Sequence, residues 1–178
     1  MRIFPYKEYI IETSMPKDAA VEKLLHHTKA KGKFRLAKMD EYFIGEVAEE
    51  GFDLLLRIFS INYNSRYYRP VIKGNMVQKN DRTEVRFSAS ASFMSKFIAF
   101  LVGAIFLGSA ATQYSETDIV LLLLGFGVFS LLVNIGAIHL YFKFYMKRCM
   151  KSMELIFKEN DSQNYKIYER SPEEYGLE

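Results

Sequence analysis

The sequence of 178 residues contains one cysteine, no tryptophan and four prolines. A single cysteine, Cys149, excludes an intrachain disulfide, which indicates a reducing compartment for the soluble part of the chain. The N-terminal residues contain no apolar segment of the length that a secretory signal peptide requires. Myristoylation and prenylation patterns are absent as well. We therefore expect neither a cleaved leader nor a lipid anchor of these two kinds.

Motifs for catalysis and metal binding are also missing. The sequence has no GxSxG, P-loop, CxxC, HExxH or dinucleotide fingerprint, so we expect no enzyme activity, no cofactor and no metal. His26 and His27 form a histidine pair, but adjacent residues of a helix point about 100° apart, which predicts ordinary surface histidines. Scattered basic residues without a known motif argue against binding of nucleic acid.

Two long uncharged segments, Phe97–Tyr114 and Ile119–Phe142, dominate the second half of the chain. As helices they would reach about 27 Å and about 36 Å, compared with about 30 Å for the hydrocarbon core of a bilayer. Only a short polar connection separates them. The sequence therefore predicts a transmembrane helical hairpin of two spans, about residues 97–114 and 119–142.

Charges at the ends of these segments predict their orientation. Lys96 precedes the first segment, and the connection carries Glu116 and Asp118 but no Lys or Arg. A basic cluster follows the second segment and consists of Lys143, Lys147, Arg148 and Lys151. The positive-inside rule then places both termini in the cytoplasm and the protein in the cell membrane. The basic cluster is also a candidate contact for anionic lipid headgroups.

Outside the hairpin, the periodicity predicts an α+β domain. Helical spacing of apolar residues over 16–29 predicts one packed helix. Alternation of apolar and polar residues predicts an antiparallel sheet of about five strands. The predicted strands are residues 6–13, 42–48, 52–59, 71–77 and 83–90.

Beyond the second apolar segment, Met146, Met150, Met153 and Phe157 recur at spacings of three and four. This predicts that the second helix extends into the cytoplasm to about residue 158, with its apolar side against the sheet or a second copy. We divide the chain into a cytoplasmic α+β domain, a transmembrane hairpin, and a cytoplasmic helical extension with a tail. Their bounds are 1–94, 95–145 and 146–178.

Residues 42–110 resemble known proteins. The resemblance is carried by three runs ahead of the first apolar segment, namely FIGEVAEEGFDLLLR, YYRPVIKGNM and RTEVRFSAS. The chain resembles a group of small, uncharacterised bacterial membrane proteins, in which an RPVIKG strand and a T-x-V-x-F strand precede an apolar span. The resemblance implies a β-rich cytoplasmic domain followed by a two-helix transmembrane hairpin. It implies no activity, ligand or catalytic residue.

Polar residues supply the candidate contact sites. Arg66, Tyr67, Tyr68 and Arg69 combine basic and aromatic groups, which suits lipid headgroups at a membrane surface or a protein partner. Polar side chains within the apolar segments are candidates for contacts between helices. These are Ser130, Asn134 and His139. Small glycine and alanine residues in both segments favour close helix packing or self-association.

These features together favour a membrane-anchored cytoplasmic module that binds a protein partner or anionic lipid headgroups, with the lipid bilayer as its surroundings. Two alternatives remain open. The chain is a carrier or sensor of a small apolar ligand held in a cavity between helix 16–29 and the sheet. Or it is an accessory subunit of a larger membrane complex, docked through its small-residue helix faces.

Overall fold

The computed structural model describes residues 3–31, 40–57, 69–112, 117–158 and 166–169. Those residues form three helices and seven strands in an α+β arrangement. In chain order the elements are β1 (Tyr6–Thr13), α1 (Lys17–His26), β2 (Thr28–Ala30), β3 (Phe43–Val47), β4 (Phe52–Leu56), β5 (Pro70–Lys79), β6 (Arg82–Ala91), α2 (Phe93–Thr112), α3 (Thr117–Lys158) and β7 (Lys166–Glu169).

The seven strands form one mixed sheet in the order β2-β3-β4-β5-β6-β1-β7. The five predicted strands are present as β1, β3, β4, β5 and β6, and each pairs antiparallel with its neighbours among them. The prediction of a purely antiparallel sheet of about five strands is wrong at both edges. There, β2 pairs parallel with β3, and β7 pairs antiparallel with β1. These edge strands have three and four residues, too few to show an alternating pattern.

Two tight turns fix the register of the central strands. Asn80 has a φ of 51°, a left-handed conformation that asparagine tolerates, and it joins β5 to β6 in a two-residue turn. Between β3 and β4, the amide nitrogen of Ala48 donates to the carbonyl oxygen of Gly51 at 2.9 Å. The two turns join consecutive strands and so set the register of β3 with β4 and of β5 with β6.

One face of the sheet carries the hydrophobic core. Alternate side chains of the strands are buried there, such as Tyr9 and Ile11 in β1. Ala20 and Leu24 of α1 are fully buried against this face. The C-terminal part of α3 covers the rest, with its buried side chains Phe142, Tyr145, Met146, Cys149, Met153, Ile156 and Phe157. The predicted continuation of this helix to about residue 158, with its apolar side on the sheet, is confirmed.

Cys149 belongs to this core and is fully buried. Burial raises the pKa of its thiol to about 12, because an apolar environment disfavours the charged thiolate. The thiolate is the reactive form of cysteine. Cys149 is therefore an inert packing residue.

A buried carboxylate, Glu84, lies on β6 between two cations. Its side-chain oxygens are 2.6 Å from Lys79 Nζ and 2.6 Å from Arg86 Nη2. The hydrogen bond from Lys79, supported by that from Arg86, lowers the pKa of Glu84 from its ordinary value of 4.5 against the opposing effect of burial. Glu84 is thus held in its charged form.

Only Ser92 separates β6 from α2. Its hydroxyl oxygen accepts a hydrogen bond from the backbone nitrogen of Ser95 at 3.2 Å, which satisfies one of the free donors at the start of the helix. The sheet therefore passes into α2 without a linker.

The two long helices pack against each other in opposite directions. A Cβ atom added to Gly103 would lie 3.7 Å from Leu131, and one added to Gly127 would lie 3.0 Å from Phe106. Positions that increase along α2 therefore meet positions that decrease along α3, so the pair is antiparallel. Glycine at 127 lets the helices approach closely, as small residues do at helix interfaces.

Within the described residues, one helix is long and apolar enough to cross a membrane, namely α3 from Val120 onward. Only 11% of its most apolar stretch is buried, whereas the core helix of a soluble protein is mostly buried. The apolar helix α2 is described with its side chains over Phe93–Ser109 and is too short to qualify alone. The prediction of two spans is therefore supported for the second and not for the first.

Candidate functional site

A groove of about 810 Å³ lies between α3 and the N-terminal segment that leads into β1. The residues of α3 that form one wall recur at spacings of three and four, which places them on one face of the helix. It consists of Gly136, His139, Leu140, Lys143, Met146, Lys147 and Met150, with Phe142 beside them. The opposite wall consists of Phe4, Pro5, Tyr6, Lys7, Tyr9 and, from β7, Glu169.

Contacts with both long helices hold the N-terminal wall in place. The Nε2–H of His139 donates to the carbonyl oxygen of Ile3 at 3.0 Å. The ring of Phe4 meets the ring of Phe100 edge to face at 5.7 Å, and Lys96 Nζ lies 5.8 Å from the Phe4 ring centre. Phe4 also packs against the buried cluster of Ala91, Ala99 and Ile138. The groove therefore has a wall fixed by both α2 and α3.

The groove is amphipathic. Its buried parts are apolar and include Tyr9, Phe142 and Met146. Lys143 and Lys147 are exposed at its α3 side, and Lys7 at the other side pairs with Glu169. Three lysines minus one glutamate give the lining a formal net charge of +2, with His139 counted as neutral. An anionic group with an apolar tail matches this distribution.

Position along α3 adds to this chemistry. From Gly136 to Met150 the groove follows 14 residues, which is about 21 Å of helix. It begins inside the apolar segment that ends at Phe142 and continues past the first basic residues. In a bilayer-spanning orientation of α3, the groove would cross the boundary between hydrocarbon and water.

The structure divides the predicted basic cluster. Lys143 and Lys147 line the groove, whereas Arg148 and Lys151 do not. The guanidinium of Arg148 lies 4.6 Å from the ring centre of Phe144, within range of a cation–π interaction. Lys151 is exposed.

The other predicted contact residues lie elsewhere. Arg69 is half-buried immediately before β5, while Arg66, Tyr67 and Tyr68 lie outside the described residues. Within the apolar part of α3, the amide of Asn134 donates to the backbone carbonyl of Ser130 in the same helix at 2.8 Å. His139 contacts the N-terminal segment through Ile3.

Sequence reasoning missed the N-terminal wall of the groove. Its residues Phe4-Pro5-Tyr6-Lys7 are themselves aromatic and basic, the same combination that drew attention to 66–69. Their proximity to α3 follows only from the fold. The cavity predicted between helix 16–29 and the sheet is at a different place from this groove. At that predicted interface, Ala20 and Leu24 are packed into the core.

The histidine pair lies at the C-terminal end of α1. The helix ends at His26, and His27 follows it as the capping residue with φ −88° and ψ 8°. Ligand atoms of His26, His27 and Asp40 all lie within 4.8 Å of one another. That the two are ordinary surface histidines stays a prediction.

No protein-family model matches the sequence, and no curated protein or solved structure matches it either. The resemblance of residues 42–110 to small bacterial membrane proteins accordingly stays a prediction. The proposals below depend on the geometry of the chain itself.

Proposed function

We propose that this protein is a membrane-anchored module that binds an anionic phospholipid in the groove between α3 and β1. The observation that carries the proposal is the amphipathic lining of the groove, with Lys143 and Lys147 above a buried apolar surface. Its volume of about 810 Å³ is within the range of about 300–1,000 Å³ that is typical of small-molecule sites. The role proposed is binding, with no chemical step.

The proposed recognition uses two parts of the lipid. The phosphate accepts hydrogen bonds from the ammonium groups of Lys143 and Lys147, which are four residues apart on one helix face. The first part of an acyl chain lies against Leu140, Met146 and Met150. Methionine is flexible and polarizable, so such a surface accepts chains of different shape.

The proposed topology is a two-span hairpin with both termini on the cytoplasmic side. Support comes from the antiparallel packing of α2 on α3 and from large apolar side chains on both helices that face away from the protein. Examples are Phe97, Phe100 and Ile105 on α2, and Leu122, Phe129 and Leu132 on α3. The orientation rests on Lys96 and the basic cluster at one end, and Glu116 and Asp118 at the other.

Native mass spectrometry of the full chain in mild detergent tests the lipid site. Detergent micelles lack an anionic bilayer surface, so only a built site retains lipid through purification. We expect the chain to retain one anionic phospholipid after mixing with an equimolar anionic and zwitterionic pair. The double variant Lys143→Gln/Lys147→Gln removes about 1 kcal/mol per charge, which weakens retention by about 30-fold.

The matched control is Arg148→Gln/Lys151→Gln, which removes the same charge from the same helix outside the groove. It is expected to retain the lipid as the native chain does. Equal loss in both double variants would show that net charge alone attracts the lipid, and the proposed site would be wrong.

Introduced cysteines test the topology, because the buried native Cys149 contributes no labelling background. Ser115→Cys, in the connection, should react with an impermeant maleimide in intact cells. Lys151→Cys should react only after permeabilisation. The reverse pattern would place both termini outside, and labelling of both positions in intact cells would contradict the hairpin.

A further inference from the structure

We propose that His26, His27 and Asp40 form a binding site for a first-row transition metal ion, with Zn²⁺ as the expected occupant. One ligand atom from each residue lies within 4.8 Å of the other two. Two of the ligands, His26 and His27, lie at the C-terminal end of α1. The third, Asp40, lies shortly before β3. It shares no residue with the groove and is independent of the proposed lipid binding.

The hydrogen bonds of the site prepare one histidine for coordination. His27 Nδ1 is 2.7 Å from the backbone carbonyl oxygen of Asp40, which can only accept, so Nδ1 carries the proton. The lone pair is then on Nε2, the atom available to a metal. Donation from the second ring nitrogen to a carbonyl is the usual support for a metal-bound histidine. Stacking on Tyr42, with ring centres 5.4 Å apart, also orients this ring.

The other two ligands can close on an ion. His26 Nδ1 lies 3.8 Å from Asp40 Oδ2, and the His26 side chain is 62% exposed. Bonds of about 2.0–2.1 Å in a tetrahedral site place neighbouring ligand atoms about 3.4 Å apart. The ligand atoms, now up to 4.8 Å apart, would have to move closer together to hold an ion.

Ligand chemistry selects the kind of metal. Two imidazoles and one carboxylate suit Zn²⁺, Co²⁺ or Ni²⁺, whereas Mg²⁺ and Ca²⁺ prefer oxygen ligands alone. The end of a helix also favours a cation, because its last carbonyl groups carry partial negative charge.

Two lysines lie beside the site. A cavity of about 630 Å³ opens beside the three ligands and is lined by Lys23, Tyr42, Leu155 and Lys158 as well. The positive charges of the two lysines repel a bare dication. The Asp40 carboxylate and an anionic fourth ligand would offset that repulsion. Bound metal would tie the end of α1 to the residues that lead into β3.

Metal titration of the full chain in mild detergent tests this site. The protein is purified without a polyhistidine tag and treated with a chelator, and Co²⁺ and then Zn²⁺ are added. We expect one equivalent of Co²⁺ to give the visible absorption of a tetrahedral site, and Zn²⁺ to displace it. The His26→Ala and Asp40→Asn variants should each bind Zn²⁺ at least about tenfold more weakly.

The third histidine provides the matched control. His139→Ala removes an imidazole far from the site and should leave Zn²⁺ affinity unchanged. The exposed position of His26 means that its loss should not disturb folding, which circular dichroism checks. Failure of the native chain to bind Zn²⁺, or unchanged affinity in the folded His26→Ala and Asp40→Asn variants, would overturn the proposal.

Discussion

Replacing Phe157 with alanine tests whether buried side chains hold α3 against the sheet. Phe157 is fully buried in the main core. Truncation of such a phenylalanine costs about 3–5 kcal/mol, because apolar contacts are lost and a cavity remains. At about 1.4 kcal/mol per factor of ten, the equilibrium for opening this contact should increase by about 140-fold to 4,000-fold.

The thiol of Cys149 reports that opening. It is fully buried, and its pKa of about 12 keeps it protonated at neutral pH, so a maleimide reacts only after α3 leaves the sheet. Phe157 is eight residues away, about 12 Å along the helix, so its truncation does not itself uncover the sulfur. When opening is fast compared with labelling, the labelling rate follows the opening equilibrium. The rate should therefore increase by at least about 100-fold.

The matched control is Leu155→Ala, which shortens a side chain that is 50% exposed on the same part of α3. It should change the labelling rate little. Labelling of the native chain as fast as in denaturant would refute the burial of Cys149. An unchanged rate in Phe157→Ala would refute the conclusion that these side chains fasten α3 to the sheet.

Three further predictions concern stability, measured as thermal unfolding in detergent. Glu84→Gln should destabilise the chain at neutral pH, and the difference should shrink as the pH falls below 4.5, because a lowered carboxylate pKa contributes stability that protonation removes. Gly127→Leu should destabilise by about 1–3 kcal/mol through overpacking of the helix pair, whereas Gly125→Leu, with no atom within 4 Å of its added Cβ, should be tolerated. Gly45→Ala should prevent folding, because its Cβ would lie 2.0 Å from the carbonyl oxygen of Asp53.

The strands of this fold could be predicted because the sheet buries one face. Burial of alternate residues, such as Val85, Phe87 and Ala89, produces the period of two that identifies β6. The edge strands β2 and β7 were not predicted because they are short. All four residues of β7 are exposed, so this strand also shows no contrast between two faces.

Neither candidate site could be read from local sequence. The groove joins Phe4 and Lys7 to α3 through contacts such as that between Ile3 and His139, which are 136 residues apart. The proposed metal site depends on Asp40, which lies 13 residues after His27 in the sequence and meets it through the hydrogen bond to its backbone carbonyl. The residue types were visible in the sequence, and their convergence is a property of the fold.

The placement of α3 has a consequence for how this protein can be made and divided. Of the 21 buried residues that form the main core in the described chain, seven come from α3, and six of these lie beyond the apolar segment. A fragment that ends at Ser92 would contain β1 to β6 and α1, and it would leave uncovered the part of their apolar face that α3 covers. During synthesis, α3 can cover that face only after both apolar helices have left the ribosome. Helix α3 and the sheet therefore share one core, and we expect a gene cut between them to yield an aggregating product.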